Sequence, residues 1–339
     1  MEEPEKKVEA KGLNPKFGQA SGSGEKYRPS SRQLVEGIRE GDDLMLSRAI
    51  TLIESKRRDH QQQAQEVLQQ CLPMRADSFR LGITGSPGVG KSTFIESFGM
   101  HQIERGKRVA VLAIDPSSQL SRGSILGDKT RMHKLAAHPD AFIRPSPAGD
   151  SLGGVASRTR EIVFLCEAAG YDFIIVETVG VGQSETAVHS MVDFFLLLLL
   201  PGGGDELQGI KRGIVEMADL IAVNKAEGDN LKPARRARAE YARALHLFPP
   251  KASGWTARAV TCSGLEGKGL SEITDIIEEY QQETKSNRYF EQNRRQQARY
   301  WLHEHIDRQL KQLFTAHPEV EKMLPVMEKA VIKGDLTSQ

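Results

Sequence analysis

Seven short apolar runs punctuate the middle of the chain, at residues 79–84, 108–115, 141–144, 171–177, 194–201, 220–224 and 258–262. Several are almost continuously apolar, above all 194–200 (FFLLLLL), as strands covered on both faces must be. Between the runs the apolar positions change to helical spacing, for example over 152–169 and 233–247. This alternation predicts an α/β fold, an open and mostly parallel sheet flanked by helices, with ligands at the carboxyl ends of its strands.

Helical spacing also precedes the sheet. Leu34, Ile38, Leu44, Leu46, Ile50, Leu52, Ile53, Val67 and Leu68 mark an N-terminal helical extension, with Gly41-Asp42-Asp43 as a break and cap. After about residue 280 the chain is polar and helical again. There Tyr300, Trp301, His305, Leu310 and Phe314 are spaced to form an apolar stripe, which either packs on its own domain or pairs with a second copy. The expected organisation is a disordered tail over 1–30, a helical extension over 31–78, a nucleotide domain over 79–283, and a C-terminal helical dimerisation region over 284–339.

The chemistry begins where the first run ends. Gly85-Ser86-Pro87-Gly88-Val89-Gly90-Lys91-Ser92 is a complete G-x-x-x-x-G-K-[ST] phosphate-binding loop, set between a predicted strand and a helix that continues from Thr93. Its glycines let the backbone turn tightly, so that successive N–H groups point at phosphate oxygens, and the helix adds its positive N-terminal end. Lys91 is the candidate for the β/γ-phosphates, and the Ser92 hydroxyl is a candidate Mg²⁺ ligand. The predicted architecture is therefore a P-loop NTPase.

Composition narrows the setting. The 339 residues carry 46 Lys and Arg against 45 Asp and Glu, a net charge of +1 that argues against nucleic acid or an anionic membrane as partner. Cys71, Cys166 and Cys262 are scattered without a C-x-x-C pair, which fits a reducing cytoplasmic or organelle-matrix compartment. The first thirty residues are polar and lack an apolar core, so they do not read as a signal peptide. No run is long enough to span a bilayer.

Later strand ends supply the remaining parts. Glu177 closes the 171–177 run in Glu177-Thr178-Val179-Gly180, where an acid commonly holds Mg²⁺ through water and the glycine N–H senses the γ-phosphate. By itself Glu177 also reads as an ordinary strand-end carboxylate, but beside a complete phosphate loop the magnesium role is favoured. Asp115 and Asp128 fall where a first switch loop belongs, as metal or water positioners or as turn residues. Asn224-Lys225-Ala226-Glu227 is similar to the N-K-x-D element, whose carboxylate accepts from guanine N1–H and the N2 amine. Cys262-Ser263-Gly264 follows the next run, where backbone N–H groups support the guanine O6. Lys232, Arg235, Arg236, Arg238 and Arg243 share a predicted helix, as a solvated face or a patch for an acidic partner.

Four segments together resemble one family, the G-protein chaperones of methylmalonyl-CoA mutase. They are Asp115-Pro116-Ser117-Ser118, residues 123–132 (GSILGDKTRM), 177–185 (ETVGVGQSE) and 202–211 (GGGDELQGIK). The resemblance covers about residues 34–335 and is strongest over 81–230. It implies a homodimeric GTPase that uses GTP, GDP and Mg²⁺. Such a protein attends an adenosylcobalamin-dependent mutase, gates cofactor loading and protects the mutase from inactivation. It implies that Asp115, Asp128 and Glu177 surround the metal and γ-phosphate. It also implies that 202–211, with Gln208 and Lys211, forms a third switch used in partner-dependent activation. Glu227 and Gly264 depart from the usual Asp and Ala. The alternative reading is a nucleotide-driven kinase or ATPase of amino-acid (lysine/arginine/ornithine) transport. A metal chaperone is disfavoured by the absence of a His-rich tract.

Overall fold

The computed structural model describes residues 28–74, 77–114, 132–145, 152–178, 184–202 and 212–337. All seven predicted strands are present: β1 (Phe79–Gly85), β2 (Val109–Ile114), β3 (Ala141–Arg144), β4 (Phe173–Thr178), β5 (Phe194–Leu199), β6 (Leu220–Val223) and β7 (Arg258–Thr261). They form one sheet in the order β3-β2-β4-β1-β5-β6-β7, and every pairing is parallel. β1 lies at the centre, flanked by β4 and β5, and the chain after it first builds the β2 side and later the β5 side. Its carboxyl end is thus the switch point where α/β sheets bind ligands. Every residue of β1, β4, β5 and β6 is buried, which explains why these runs lack polar alternation.

Helices cover both faces. The extension comprises α1 (Ser31–Arg39), α2 (Asp43–Glu54) and α3 (Arg58–Cys71). It packs against α6 (Leu152–Ala168) on one face, and its Leu34, Ile38, Leu46, Ile50 and Val67 share one buried apolar cluster with Ala110, Ile174 and Val176 of the sheet. The Asp42 side chain accepts from the N–H groups of Leu44 and Met45 and so starts α2, as the Gly-Asp-Asp pattern predicts. Leu44, one of the residues that mark the helical spacing, stands exposed in the first turn beside that cap.

The other face carries α4 (Lys91–Glu104) and α10 (Leu270–Ser286), whose Phe94, Phe98, Ile273 and Ile277 meet Leu81, Ile83, Phe173 and Ile175. Short helices α5 (His133–Ala136), α7 (Ser184–His189) and α8 (Arg212–Met217) and the longer α9 (Leu231–Leu245) complete the layers. A C-terminal arm follows, α11 (Tyr289–Thr315) and α12 (Pro318–Lys333).

The arm is fixed to the amino edge of the sheet by buried polar contacts. Arg294 donates to both Asp193 oxygens at 2.8 and 2.7 Å and to the Ser78 carbonyl at 2.7 Å. Asp193 accepts in turn from the Arg80 N–H, and the Arg80 guanidinium pairs with buried Glu167 at 2.7 Å. Gln297 and Trp301 extend the anchoring to the carbonyls of Val192 and Ser190. Beyond Trp301 the expected stripe does not enter this core. Tyr300, Leu310 and Phe314 are exposed, and the apolar positions that recur on that side are Leu302, Ile306, Leu310 and Leu313. Among the described residues, no helix is long and apolar enough to cross a membrane.

Glu167 pairs with the Arg80 guanidinium at 2.7 Å in a site that neither side chain shares with bulk water, and the Asp193 charge also acts on that cation. Removing Glu167 breaks a buried ion pair, a loss of about 3–5 kcal/mol. Glu167→Ala is therefore expected to lower the urea-unfolding free energy by that amount. A loss below about 1 kcal/mol would contradict this account of the amino edge.

Candidate nucleotide-binding site

The phosphate loop leaves β1 at Gly85 and enters α4 at Lys91. A Cβ at Gly85 would stand 2.5 Å from the Leu198 carbonyl oxygen, so only glycine lets the end of β1 lie this close to β5. Gly88 and Gly90 adopt φ of 80° and 90°, the left-handed region that curls the backbone N–H groups inward. The result is a cradle above the N-terminal end of α4, open at exposed Pro87 and Gly88. The buried Ser86 hydroxyl has no hydrogen-bond partner among the described residues.

Lys91 lies beneath this cradle. Its ammonium donates to the carbonyls of Gly85 at 2.8 Å and Ser86 at 3.3 Å, holding the loop closed on itself. Burial lowers its pKa from the ordinary lysine value, and the carboxylates of Glu177 and Glu185 oppose that shift. Ser92 and Thr93 follow on the first turn of α4.

Strand register brings Glu177 to the same place. Glu177 pairs with Ile83 across β4 and β1, two residues before the loop, and the Thr178 hydroxyl donates to that of Thr84 at 2.8 Å. Glu177 is buried, as is Glu185 on α7. Glu185 was visible in the sequence within the 177–185 match but received no role. Its place beside the lysine comes from the return of the chain after β4, which strand patterns do not encode.

The base side is assembled from the ends of β6 and β7. Asn224 is buried, and its amide donates to the Val89 carbonyl at 2.9 Å while its Oδ1 accepts from the Gly264 N–H at 3.0 Å. One side chain thus joins the phosphate loop to both base loops. The Cys262 thiol lies behind it, donating to Asn224 Oδ1 at 3.6 Å, and burial pushes that thiol up to about 12, so it packs as a neutral group. Ser263 is fully buried and its hydroxyl accepts from the Glu266 N–H. Lys225 takes φ of 56°, which turns the chain sharply toward Glu227. Glu227 Oε2 is buried and has no hydrogen-bond partner among the described residues.

The departure at Gly264 has a packing cause. A Cβ there would stand 2.8 Å from the Cα and 2.9 Å from the N of Phe94, backbone atoms of α4 that cannot swing aside. The Ser97 hydroxyl fixes the same contact by donating to the Gly264 carbonyl at 2.5 Å. Of the other predicted site residues, Asp115, Asp128, Gly180 and Lys211 lie outside the described residues.

A glycine cradle, a lysine beneath it, an acid at the end of the neighbouring strand and a buried carboxylate at the base side fit a nucleoside triphosphate. Together with the central placement of β1 they define a P-loop nucleotide hydrolase. The profile of the family described as methylmalonyl Co-A mutase-associated GTPase MeaB matches residues 46–319, and the chain belongs to that family. It is a GTPase. A probable GTPase of Mycobacterium tuberculosis is 50% identical over 304 residues, covering 90% of each chain. The mitochondrial methylmalonic aciduria type A homolog of Mus musculus is 44% identical, over 90% of this chain and 76% of that protein. A crystal structure described as an LAO/AO transport system kinase superposes with a TM-score of 0.73 at 38% identity, covering 91% of this chain and 93% of that one.

Gly264→Ala introduces a methyl group against the first turn of α4, and overpacking of this kind costs about 1–3 kcal/mol. Chemical denaturation should show that loss, together with weaker GDP binding because α4 carries the phosphate loop. A variant with unchanged stability and unchanged GDP affinity would show that the contact is slack.

Proposed function

We propose that the chain hydrolyses GTP with Mg²⁺ and acts as chaperone to an adenosylcobalamin-dependent methylmalonyl-CoA mutase, gating cofactor loading and protecting the mutase from inactivation. The observation that carries the guanine assignment is the buried, unpartnered Glu227 oxygen. A carboxylate in that position is satisfied by the paired donors of guanine and left unpaired by adenine. Glutamate in place of aspartate supplies the same acceptor from one methylene further back. The client is supported by the family description and by the name of the mouse relative.

In this reading Lys91 exchanges the Gly85 and Ser86 carbonyls for the β/γ-phosphates. Little movement is required, because its hydrogen-bonding partners are part of the cradle itself. Ser92 and Glu177, with Asp115 and Asp128, are assigned to Mg²⁺, which when bound neutralises charge on the transferring phosphoryl group. Gly180 offers its N–H to the γ-phosphate. Glu185 keeps the lysine charged within a buried site, as its electrostatic effect on Lys91 supports. The base is held by Glu227, by Lys225 along its side, and by the backbone N–H groups of Cys262, Ser263 and Gly264. Asn224 positions these loops.

A homodimer formed through the C-terminal arm is part of the proposal. Leu302, Ile306, Leu310 and Leu313 form an exposed apolar row on α11, and Met323, Val326 and Met327 are exposed on α12. A cytoplasmic location fits three buried cysteines, none of them in a disulfide. The second reading, an amino-acid transport kinase, is favoured only by the description of the similar crystal structure.

Two measurements test this function. Turnover of GTP should rise on adding the mutase, and Lys211→Ala should lose most of that rise while its basal rate changes little. Absence of stimulation in the unmutated protein would remove the client, and turnover of ATP equal to that of GTP would favour the transport-kinase reading. Sedimentation of the purified chain should give a dimer, and Leu310→Asp with Leu313→Asp should give a monomer that still binds GDP. A monomeric unmutated chain would contradict the role of the arm.

A further inference from the structure

A groove of about 1040 Å³ lies away from the nucleotide site, between the helical extension, α6 and the C-terminal arm. Among the described residues its charged lining is one-sided: Lys56, Arg58, Arg158, Arg308 and Lys311 with one carboxylate, Glu161. This excess is local, since the whole chain carries a net charge of only +1. Burial raises the Glu161 pKa above the ordinary carboxylate value, and Arg308, Arg160 and Arg158 oppose that shift, so this acid offsets at most part of the local positive charge. Arg308 is held in place by donating to His305 Nδ1 at 3.0 Å. Amide side chains, Gln62 and Gln65 on α3 and Gln309 on α11, stand between the cations, and no hydrogen bond engages them among the described residues.

Shape distinguishes among anions. The lining runs from Arg58 to Leu68 on α3 and from His305 to Thr315 on α11. At 1.5 Å per helical residue each wall is about 15 Å long. A single phosphate cannot reach cations spread over that length. An extended chain advancing about 3.3 Å per residue covers it in roughly five residues. Among the described residues no Phe, Tyr or Trp lines the groove, so these supply no stacking platform of the kind on which single-stranded nucleic acid relies. The groove also avoids the proposed dimer face. His305, Arg308, Gln309 and Gln312 lie on the side of α11 that carries buried Trp301, whereas Leu302, Ile306, Leu310 and Leu313 recur on a neighbouring side, about 100° further round the helix.

We propose that this groove is a docking site for an extended, carboxylate-rich segment of a protein partner, with the cations neutralising its acids and the glutamines bonding its backbone. Such a segment touches the extension, the nucleotide domain and the arm at once, so its binding fixes the three relative to one another. The site is independent of the guanine assignment and of the identity of the mutase.

The test uses the full chain with a fluorescently labelled hexaglutamate peptide, read by anisotropy at low and at moderate salt. Binding is expected, weakening steeply with salt, and hexaglutamine should not bind. The triple variant Lys56→Ala, Arg58→Ala, Lys311→Ala, whose side chains are exposed and lie outside the nucleotide machinery, should bind at least about tenfold more weakly with unchanged basal GTP turnover. A control variant, Arg235→Ala with Arg238→Ala on the exposed face of α9, should retain affinity within about twofold. Equal binding by the triple variant and the unmutated chain would overturn the proposal. So would displacement of the peptide by pyrophosphate at matched charge, which would mark a compact-anion site, or tighter binding of oligothymidylate than of hexaglutamate.

Discussion

Asn224 holds the nucleotide site together. One amide, buried where water cannot replace its partners, gives its N–H to the phosphate loop at Val89 and takes the N–H of Gly264 from the loop after β7. Breaking either bond strands a buried backbone group, a penalty of about 1–3 kcal/mol. Asn224 thus ties the phosphate cradle to the base-side loops, and the Ser97 hydrogen bond to the Gly264 carbonyl secures the same spacing. The other features depend on that spacing. Gly90 must lack a Cβ because Asn224 Nδ2 stands 3.0 Å from where it would be, and Gly264 must lack one because α4 stands against it.

The two edges of the sheet divide the work. The carboxyl edge is built from glycine turns, a self-bonded lysine and acids with unused capacity, which is how a binding site differs from a core. The amino edge is densely bonded. Arg80, Glu167, Asp193, Arg294, Ser78 and Tyr280 bond to one another or to neighbouring carbonyls, and this network anchors the first half of the C-terminal arm. Past Trp301 the anchoring ends and the arm presents an apolar side and a cationic side. An arm so divided suits an element that meets other chains.

Most of the sheet was legible in the sequence because strands buried on both faces admit almost no polar residue, so apolar runs such as 194–200 mark them directly. The phosphate loop was legible for a related reason: each glycine, the lysine and the serine answers a separate steric or electrostatic demand at fixed spacing. Asn224 and Glu227 were identified by motif, but the stapling role of the asparagine depends on where Val89 and Gly264 arrive, which is a tertiary fact. The exposure of Leu44 and of much of the 300–314 stripe was not legible, because helical spacing reports that a side is apolar, not what covers it. Glu185, the Arg80 network and the cationic groove escaped notice because their members are far apart in the chain and individually unremarkable.

The central claim is that the buried Glu227 carboxylate reads the base. Guanine presents two donors there, N1–H and the N2 amine, both of which a carboxylate accepts. Xanthine keeps N1–H but replaces the amine with a carbonyl, which requires a donor such as the amide of Glu227→Gln. Calorimetry of GTP and xanthosine triphosphate against the unmutated chain and this isosteric variant tests the claim directly. The account predicts that the unmutated chain prefers GTP and that the variant reverses the preference. The same preference for GTP in both proteins would contradict it.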